Sequence, residues 1–353
     1  MSSCRPGTPT RRSPNWVLLK RFAKDWGENS KTRICIAVAR RQSYNAAMKQ
    51  PPFAGVFAAL WTPTDGVGKL LSREMSRHIA FLRRAGVHGL FVLGTTGEFL
   101  YLDPTVRQHV LELVAEQAST FPVIANISDA RPAIVAQLGS QARSLGLSAV
   151  ALLPPYFYPV AAEDIIEFYA RAGEAAQLPL FLYNFPERTG NRVTLEIVQA
   201  VADRVPVAGV KHSGGDLDYH QSLVNLGRER GFVVFSGADT QLPAVMAMGV
   251  AGAVSGLANA IPEWLVAQYQ AIRQNNAAAI RECARPIQAV AELMDRLSFP
   301  LNVAAAMTAR GLPTGQSKTV VSPATRSRYD AMARQLNTLY AEWHLPPLSL
   351  ETT

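Results

Sequence analysis

A regular alternation of short apolar runs with longer amphipathic segments constrains this chain more than any other feature. The apolar runs are almost continuous, as in strands that are buried on both faces of a parallel sheet. Eight strands are predicted: GVFAALWTP from Gly55, GLFVLGTTGE from Gly89, PVIANIS from Pro122, AVALLPP from Ala149, PLFLYNFP from Pro179, VAGVKHS from Val207, GFVVFSGA from Gly231 and AGAVSGLAN from Ala251.

The segments between these strands have helical periodicity and polar faces, as in REMSRHIAFLRRAG and AEDIIEFYARAGEAA. Several of them end near a glycine, which is a common helix stop. Eight strands that alternate with helices predict an α/β protein, a (β/α)8 TIM barrel. Because the pattern does not show that the sheet closes, a doubly wound open sheet is the structural alternative.

The same alternation predicts how the chain is divided. Residues 51–276 are predicted to form the barrel, and residues 277–353 a carboxy-terminal helical extension in which no motif of known chemistry is recognised. Residues 1–50 have no sustained helical or strand period and are predicted to form a basic, disordered extension.

The net charge of +8 belongs to this extension. Residues 1–50 hold 11 Lys and Arg and two acidic residues, whereas the remaining 303 residues hold 24 Lys and Arg and 25 Asp and Glu. The barrel therefore gives no charge argument for a nucleic-acid partner. Three readings of residues 1–50 stay open: a transit-like segment, a flexible basic arm, or an upstream misstart ahead of Met48.

Cysteine, histidine and apolar content exclude several classes of protein. Cys4, Cys35 and Cys283 have no paired spacing, which favours a reducing compartment and a cytoplasmic location. The six histidines form no HExxH or HxH cluster, so no metal is expected. No stretch approaches the roughly 20 apolar residues that cross a bilayer, so no membrane association is expected.

Polar residues follow four of the predicted strands. In barrels of this kind the reaction takes place at the carboxyl ends of the strands. The polar ends are residues 94–98 after strand two, 183–190 after strand five, 211–215 after strand six and 255–259 after strand eight.

Lys211 is the sharpest candidate among these residues. The 303 residues after position 50 hold three lysines, and Lys69 lies in a turn while Lys318 lies in a polar loop. Only Lys211 ends an apolar strand, where burial disfavours the ammonium and leaves a neutral amine to attack a carbonyl carbon. The structural alternative is a lysine that reaches solvent or pairs with Glu98.

Four other side chains at the strand ends are candidates for the same site. Tyr183 could relay protons, or be a structural hydrogen-bonded tyrosine. Thr95 and Thr96 lie between glycines in a turn whose N–H groups and hydroxyls could hold a carboxylate, or in a purely structural turn. Arg188 could bind a second carboxylate as a bidentate fork, or be one surface arginine among many.

Strand alternation separates the residues that follow Lys211. Side chains two apart on a strand share a face, so Ser213 is predicted to face the substrate with Lys211. His212 is predicted to point away and to serve in packing.

The motifs GTTGE, YNFPERTG and GVKHSGGD occur in this order on strands two, five and six. Together they resemble those of the dihydrodipicolinate synthase / N-acetylneuraminate lyase family, the Schiff-base pyruvate-dependent aldolases. The resemblance covers the barrel from about Phe53 to at least Asn259.

The resemblance implies a lyase in which Lys211 forms an imine with pyruvate and Tyr183 shuttles protons. It implies that Thr95 and Thr96 hold the pyruvate carboxylate, that Thr96 joins the proton relay, and that the backbone near Val254 faces pyruvate. No cofactor is implied, because the imine is itself the electron sink. A homodimer or homotetramer is implied.

The second substrate stays open at the level of sequence. Arg188 matches the position at which the synthases hold the carboxylate of an acidic aldehyde. Phe157 departs from them, because it replaces a tyrosine that completes the relay in the neighbouring subunit. SGGD resembles the hydroxy-oxoglutarate aldolases, so cleavage of 4-hydroxy-2-oxoglutarate, a 2-keto-3-deoxy sugar acid or N-acetylneuraminate is the alternative. A non-catalytic barrel that binds a 2-oxo acid is the alternative from another class.

Overall fold

The computed structural model describes residues 53–118 and 121–345, so the predictions for residues 1–50 lie outside the described residues. Each of the eight predicted strands is present, at a length of four to six residues. Their bounds are β1 Gly55–Ala59, β2 Gly89–Val92, β3 Val123–Asn126, β4 Ala149–Leu152, β5 Leu180–Asn184, β6 Val207–His212, β7 Val233–Ser236 and β8 Gly252–Ser255.

The strands form a closed parallel barrel in the order of the chain. Closure takes place between β1 and β8, where Gly55 pairs with Gly252. A Cβ atom on Gly252 would lie 2.0 Å from the carbonyl oxygen of Gly55, so only glycine permits this close approach. The prediction of a TIM barrel is confirmed, and the open sheet is wrong.

Helices cover the outside of the barrel. They are α1 Ser72–Arg84, α2 Pro104–Gln117, α3 Pro132–Ser144, α4 Ala162–Ala176, α5 Pro186–Thr189, α6 Leu195–Ala202, α7 Leu217–Arg230, α8 Leu242–Met248, α9 Pro262–Arg273, α10 Ala277–Met294, α11 Leu301–Ala309 and α12 Pro323–Glu342. Capping residues explain why the helices begin and end where they do. Helix α7 begins after Asp216, whose side chain accepts from the Tyr219 N–H, and ends at Gly231 in a left-handed conformation.

Aromatic side chains fill the interior of the barrel. Phe57, Phe91, Phe181 and Phe235 are fully buried, and the rings of Phe57 and Phe235 pack edge to face at 4.9 Å. Burial of one such side chain stabilises the fold by about 1.5–3 kcal/mol. Glycines on the strands beside these phenylalanines leave the room that the rings need. This phenylalanine plug makes the barrel a packed core rather than a pore.

Three further helices, α10, α11 and α12, follow the barrel. Arg310, just after α11, is buried and joins them to it, since it donates to the Ala260 carbonyl and pairs with Glu263 at 3.0 Å. Helix α10 begins at Ala277; the division of the chain at this point stays a prediction. No helix in the described part of the chain is long and apolar enough to cross a membrane.

Candidate functional site

A cavity of about 350 Å³ opens at the carboxyl ends of the strands. The structure brings all the side chains that were predicted as site residues together in its lining: Thr95, Thr96, Tyr183, Arg188, Lys211, Ser213 and Val254. Their placement follows from the barrel, because parallel strands end at the same rim. Their chemical roles stay predictions.

Lys211 lies at the floor of the cavity and is 4% exposed. Its Nζ atom lies 3.9 Å from the centre of the Tyr183 ring and 4.6 Å from that of Phe91. These π faces attract a cation, and among the described residues no carboxylate lies within 4.0 Å of the Nζ atom.

The pairing of Lys211 with Glu98, the structural alternative, is wrong. Glu98 instead pairs with Lys318 at 2.6 Å, and both side chains are less than a tenth exposed. Lys318 lies in a loop, as predicted, but its side chain is buried there. A loop residue carries no periodic signal of its burial, which tertiary packing alone creates here.

Tyr183 connects the lysine to the turn after β2. Strand register places Tyr183 beside Lys211, and the Tyr183 hydroxyl lies 2.6 Å from Thr95 Oγ1. Because either hydroxyl can donate, this pair can pass a proton in either direction. The turn hydroxyl that contacts Tyr183 is therefore that of Thr95, and not that of Thr96, to which the resemblance assigned the proton relay.

The turn that carries the two threonines is held tightly in place. The Glu98 N–H donates to the Thr95 carbonyl at 3.1 Å, and Thr96 is 5% exposed. A Cβ atom on Gly97 would lie 2.8 Å from the Leu60 carbonyl oxygen, so the turn packs directly against the loop after β1. A fixed turn with inward hydroxyls suits a small anion such as a carboxylate.

Two further predicted residues line the cavity, one after β6 and one on β8. Ser213 follows β6, and a Cβ atom on Gly237 would lie 2.4 Å from its Oγ atom, so the ends of β6 and β7 meet there. Val254 is the third residue of β8 and is 3% exposed.

Arg188 lies on the short helix α5 at the outer part of the cavity. It is exposed, and its guanidinium carbon lies 5.9 Å from the ring centres of both Phe185 and Phe299. Among the described residues it has no acidic partner within 4.0 Å. Its fork of donors is therefore available to a carboxylate.

His212 points away from the cavity, as strand alternation predicts. Its Nδ1 atom lies 3.2 Å from the Asn184 side-chain nitrogen, and its ring packs on Tyr219 and His220. Burial and the neighbouring His220 lower the pKa of His212 to about 4, so the ring is neutral near neutral pH. His212 therefore links β5 to β6 and packs on the side of β6 that faces away from the cavity.

Sequence reasoning missed Asp239, which follows β7 in a single 3₁₀ turn. Its Oδ2 atom accepts from the Leu257 N–H at 3.1 Å, and Oδ1 has no hydrogen-bond partner among the described residues. Burial raises the pKa of Asp239 to about 6, against the opposing effects of the Leu257 N–H, the Ser255 side chain and Lys211. The rule of polar strand ends would have found this residue, because it lies just beyond the predicted strand GFVVFSGA.

The carboxy-terminal extension, in which no motif is recognised, also contributes residues to the lining of the cavity. Phe299 and Asn302 both line it. The Asn302 amide donates to the Met294 carbonyl at 3.2 Å, while its Oδ1 atom is buried without a partner among the described residues. No local motif could have indicated these residues, because their position depends on how the helices pack.

Phe157 and its neighbours lie outside the cavity of the single chain. Phe157 has a φ of 78° and is 83% exposed, and its ring packs edge to face on exposed Tyr158. Tyr156 is half-buried. None of the three completes the relay within the described part of this chain.

Comparison with known proteins places the chain in a family. The model described as "Dihydrodipicolinate synthetase family" matches residues 52–339. An uncharacterized DapA-like lyase of Halobacterium salinarum is 31% identical over 262 residues, which are 74% of this chain and 86% of that protein. The 4-hydroxy-tetrahydrodipicolinate synthase of Methanopyrus kandleri is 28% identical over 81% of this chain and 96% of its own length.

A solved structure resembles the whole barrel. YagE, a prophage protein of the dihydrodipicolinic acid synthase family from E. coli K12, was crystallised in complex with pyruvate. It has a TM-score of 0.75 and 25% identity, and the match covers 81% of this chain and 98% of that chain. The resemblance that the three sequence motifs indicate is confirmed.

Proposed function

Because the chain belongs to the dihydrodipicolinate synthetase family, whose members are lyases, we propose that it joins or cleaves carbon–carbon bonds through an imine between Lys211 and pyruvate. One observation carries this proposal. A buried lysine amine without a carboxylate partner among the described residues lies against a tyrosine whose hydroxyl is paired with a threonine.

The cavity floor supplies what imine formation needs. The neutral Lys211 amine attacks the ketone carbon of pyruvate, and the carbonyl oxygen leaves as water after it takes up two protons. Tyr183 and Thr95, whose hydroxyls are hydrogen-bonded, would deliver and remove these protons. The pyruvate carboxylate would lie on the turn of Thr95 and Thr96, beside Ser213 and the backbone at Val254.

The protonated imine then supplies the electron sink. It acidifies the adjacent methyl group, which loses a proton to give an enamine. The enamine carbon attacks an aldehyde and forms the new bond, and water releases the product from the lysine. Cleavage follows the same steps in reverse. The reaction calls for no metal or organic cofactor.

Arg188 supports an acidic aldehyde as the second substrate, as in a dihydrodipicolinate synthase-like reaction. Its donors face the cavity and lack an acidic partner among the described residues. Asp239 favours a second candidate, an aldolase that cleaves a hydroxylated 2-oxo acid, because its unpartnered Oδ1 atom would accept from a substrate hydroxyl. A homo-oligomer and a cytoplasmic location stay predictions.

Borohydride reduction in the presence of pyruvate tests the proposal. Intact mass should show one pyruvyl adduct on the full chain, located at Lys211 by peptide mapping. Lys211→Ala should lose the adduct, while Lys69→Ala, which changes an exposed lysine, should keep it. An adduct that persists in Lys211→Ala would refute the proposal and favour adventitious modification. Product mass from a panel of aldehydes would then identify the second substrate.

A further inference from the structure

A strap of residues 312–318 runs over the loop that follows β1. The indole N–H of Trp61 donates to the Thr314 carbonyl at 2.8 Å, and the Gln316 N–H donates to the Thr64 carbonyl at 2.7 Å. Gly315 has a φ of 70°, and a Cβ atom there would lie 2.3 Å from the Thr64 oxygen. The strap is therefore fixed to this loop by close backbone contacts.

The strap ends at Lys318, whose side chain contacts the turn of Thr95 and Thr96 from outside the cavity. Its Nζ atom lies 2.6 Å from Glu98 Oε2 and 4.8 Å from the centre of the Trp61 ring. The ammonium and the carboxylate are 3% and 7% exposed, and neither side chain lines the cavity. The pair can therefore influence a bound substrate only through the turn.

The turn contains a strained residue and therefore requires stabilising contacts. Glu98 is not glycine, yet it has a φ of 57°, a left-handed conformation that costs free energy for a residue with a Cβ atom. Gly97, one residue earlier, packs against the Leu60 carbonyl and the Thr62 hydroxyl. The turn is thus held both by the loop after β1 and by Lys318.

Stability alone does not account for the pair. A buried ion pair loses the hydration of two ions, and well-packed apolar residues of similar volume are often as stabilising. Burial lowers the pKa of Lys318, and the neighbouring carboxylate opposes this shift, as expected where hydration is lost and a partner replaces it. Apolar residues in place of the ion pair would lack the directional contact that fixes the Glu98 side chain.

We propose that Lys318 is a positioning residue, which holds the carboxylate-binding turn in place through its ion pair with Glu98. The inference rests on the proposed function, since it assigns that turn to the pyruvate carboxylate. The carboxy-terminal extension thereby controls affinity for pyruvate from outside the cavity.

Borohydride trapping across a range of pyruvate concentrations tests this role. Lys318→Met should raise the half-saturating pyruvate concentration about tenfold, because a displaced turn weakens carboxylate binding, while the adduct still forms at saturation. Lys318→Arg, which keeps the cation, should recover most of the wild-type affinity. Lys69→Met serves as the matched control and should behave as the wild type.

A double variant separates positioning from folding. Glu98→Gln/Lys318→Met buries no lone charge, so its thermal unfolding should lie near that of the wild type even if Lys318→Met folds poorly. Its half-saturating pyruvate concentration should nevertheless stay raised. A double variant that binds pyruvate as the wild type does would overturn the role of Lys318. A wild-type chain that traps no pyruvate would instead refute the proposed function.

Discussion

The inner and outer parts of the cavity are built differently. The inner part consists of Lys211, Tyr183 and the two threonines, which lie on strands or on a turn that is held by the loop after β1 and by Lys318. The outer part, so named because its residues lie outside the barrel strands, takes Arg188 from a four-residue helix, Asp239 from a 3₁₀ turn and Asn302 from the extension.

This difference corresponds to two aspects of the proposed reaction, namely the chemical step and the choice of the second substrate. Groups on barrel strands are held by their neighbours' hydrogen bonds and packing, which suits chemistry that tolerates little displacement. Groups on loops and added helices can change without disturbing the barrel, which suits the choice of a second substrate. We therefore expect variants of the inner part to affect the chemical step, and variants of the outer part to affect selection.

The largest effect is expected for Tyr183→Phe, which removes only the hydroxyl from the inner part. Loss of a general acid–base group should lower kcat by about 10²–10⁴-fold. Tyr169→Phe is the matched control, because that buried hydroxyl donates to the Leu152 carbonyl, away from the cavity. Steady-state rates with circular dichroism as a check on folding would measure this. A loss below about threefold would make Tyr183 structural.

A smaller effect is expected for Arg188→Ala in the outer part. Loss of a charge-assisted hydrogen bond should raise KM for an acidic aldehyde about 10–100-fold and leave that for pyruvate nearly unchanged. Arg192→Ala is the control, since this guanidinium pairs with Asp216 at 2.9 Å and does not line the cavity. Equal increases for both substrates would remove the distinction between the two parts.

The smallest effect is expected for Asp239→Asn, which removes a carboxyl group that lowers the stability of the folded state. Because burial raises its folded-state pKa to about 6, above the ordinary 3.8, the folded state loses stability as pH rises through this window. Asp239→Asn should therefore raise Tm by about 2–6 °C at pH 8, and by less as pH falls toward 4. Thermal unfolding at several pH values measures this.

The exposed Asp295, which also lines the cavity, offers a control for that measurement. Asp295→Asn should change Tm little at any pH. If Asp239→Asn lowered Tm at pH 8, its contact with the Leu257 N–H would matter more for the fold than its buried charge does.

The inner part was accessible from sequence because two local rules suffice to find it. Continuous apolar runs mark buried parallel strands, and polar residues at their ends mark the rim, so Lys211 and Tyr183 could be placed together. Asn302 and Lys318 could not be placed, because no periodicity encodes how a terminal helix or a loop packs on a barrel. Their burial is a property of tertiary structure alone.

The phenylalanine plug has a consequence for the evolution of such a chain. Its four rings are fully buried and pack inside the barrel, and none of them lines the cavity. Most substitutions cost stability, and a chain can accumulate them only while it stays above the threshold for folding. Because this plug contributes stability, we expect rim residues such as Arg188 to tolerate exchange, and with it a change of the second substrate, without loss of the fold.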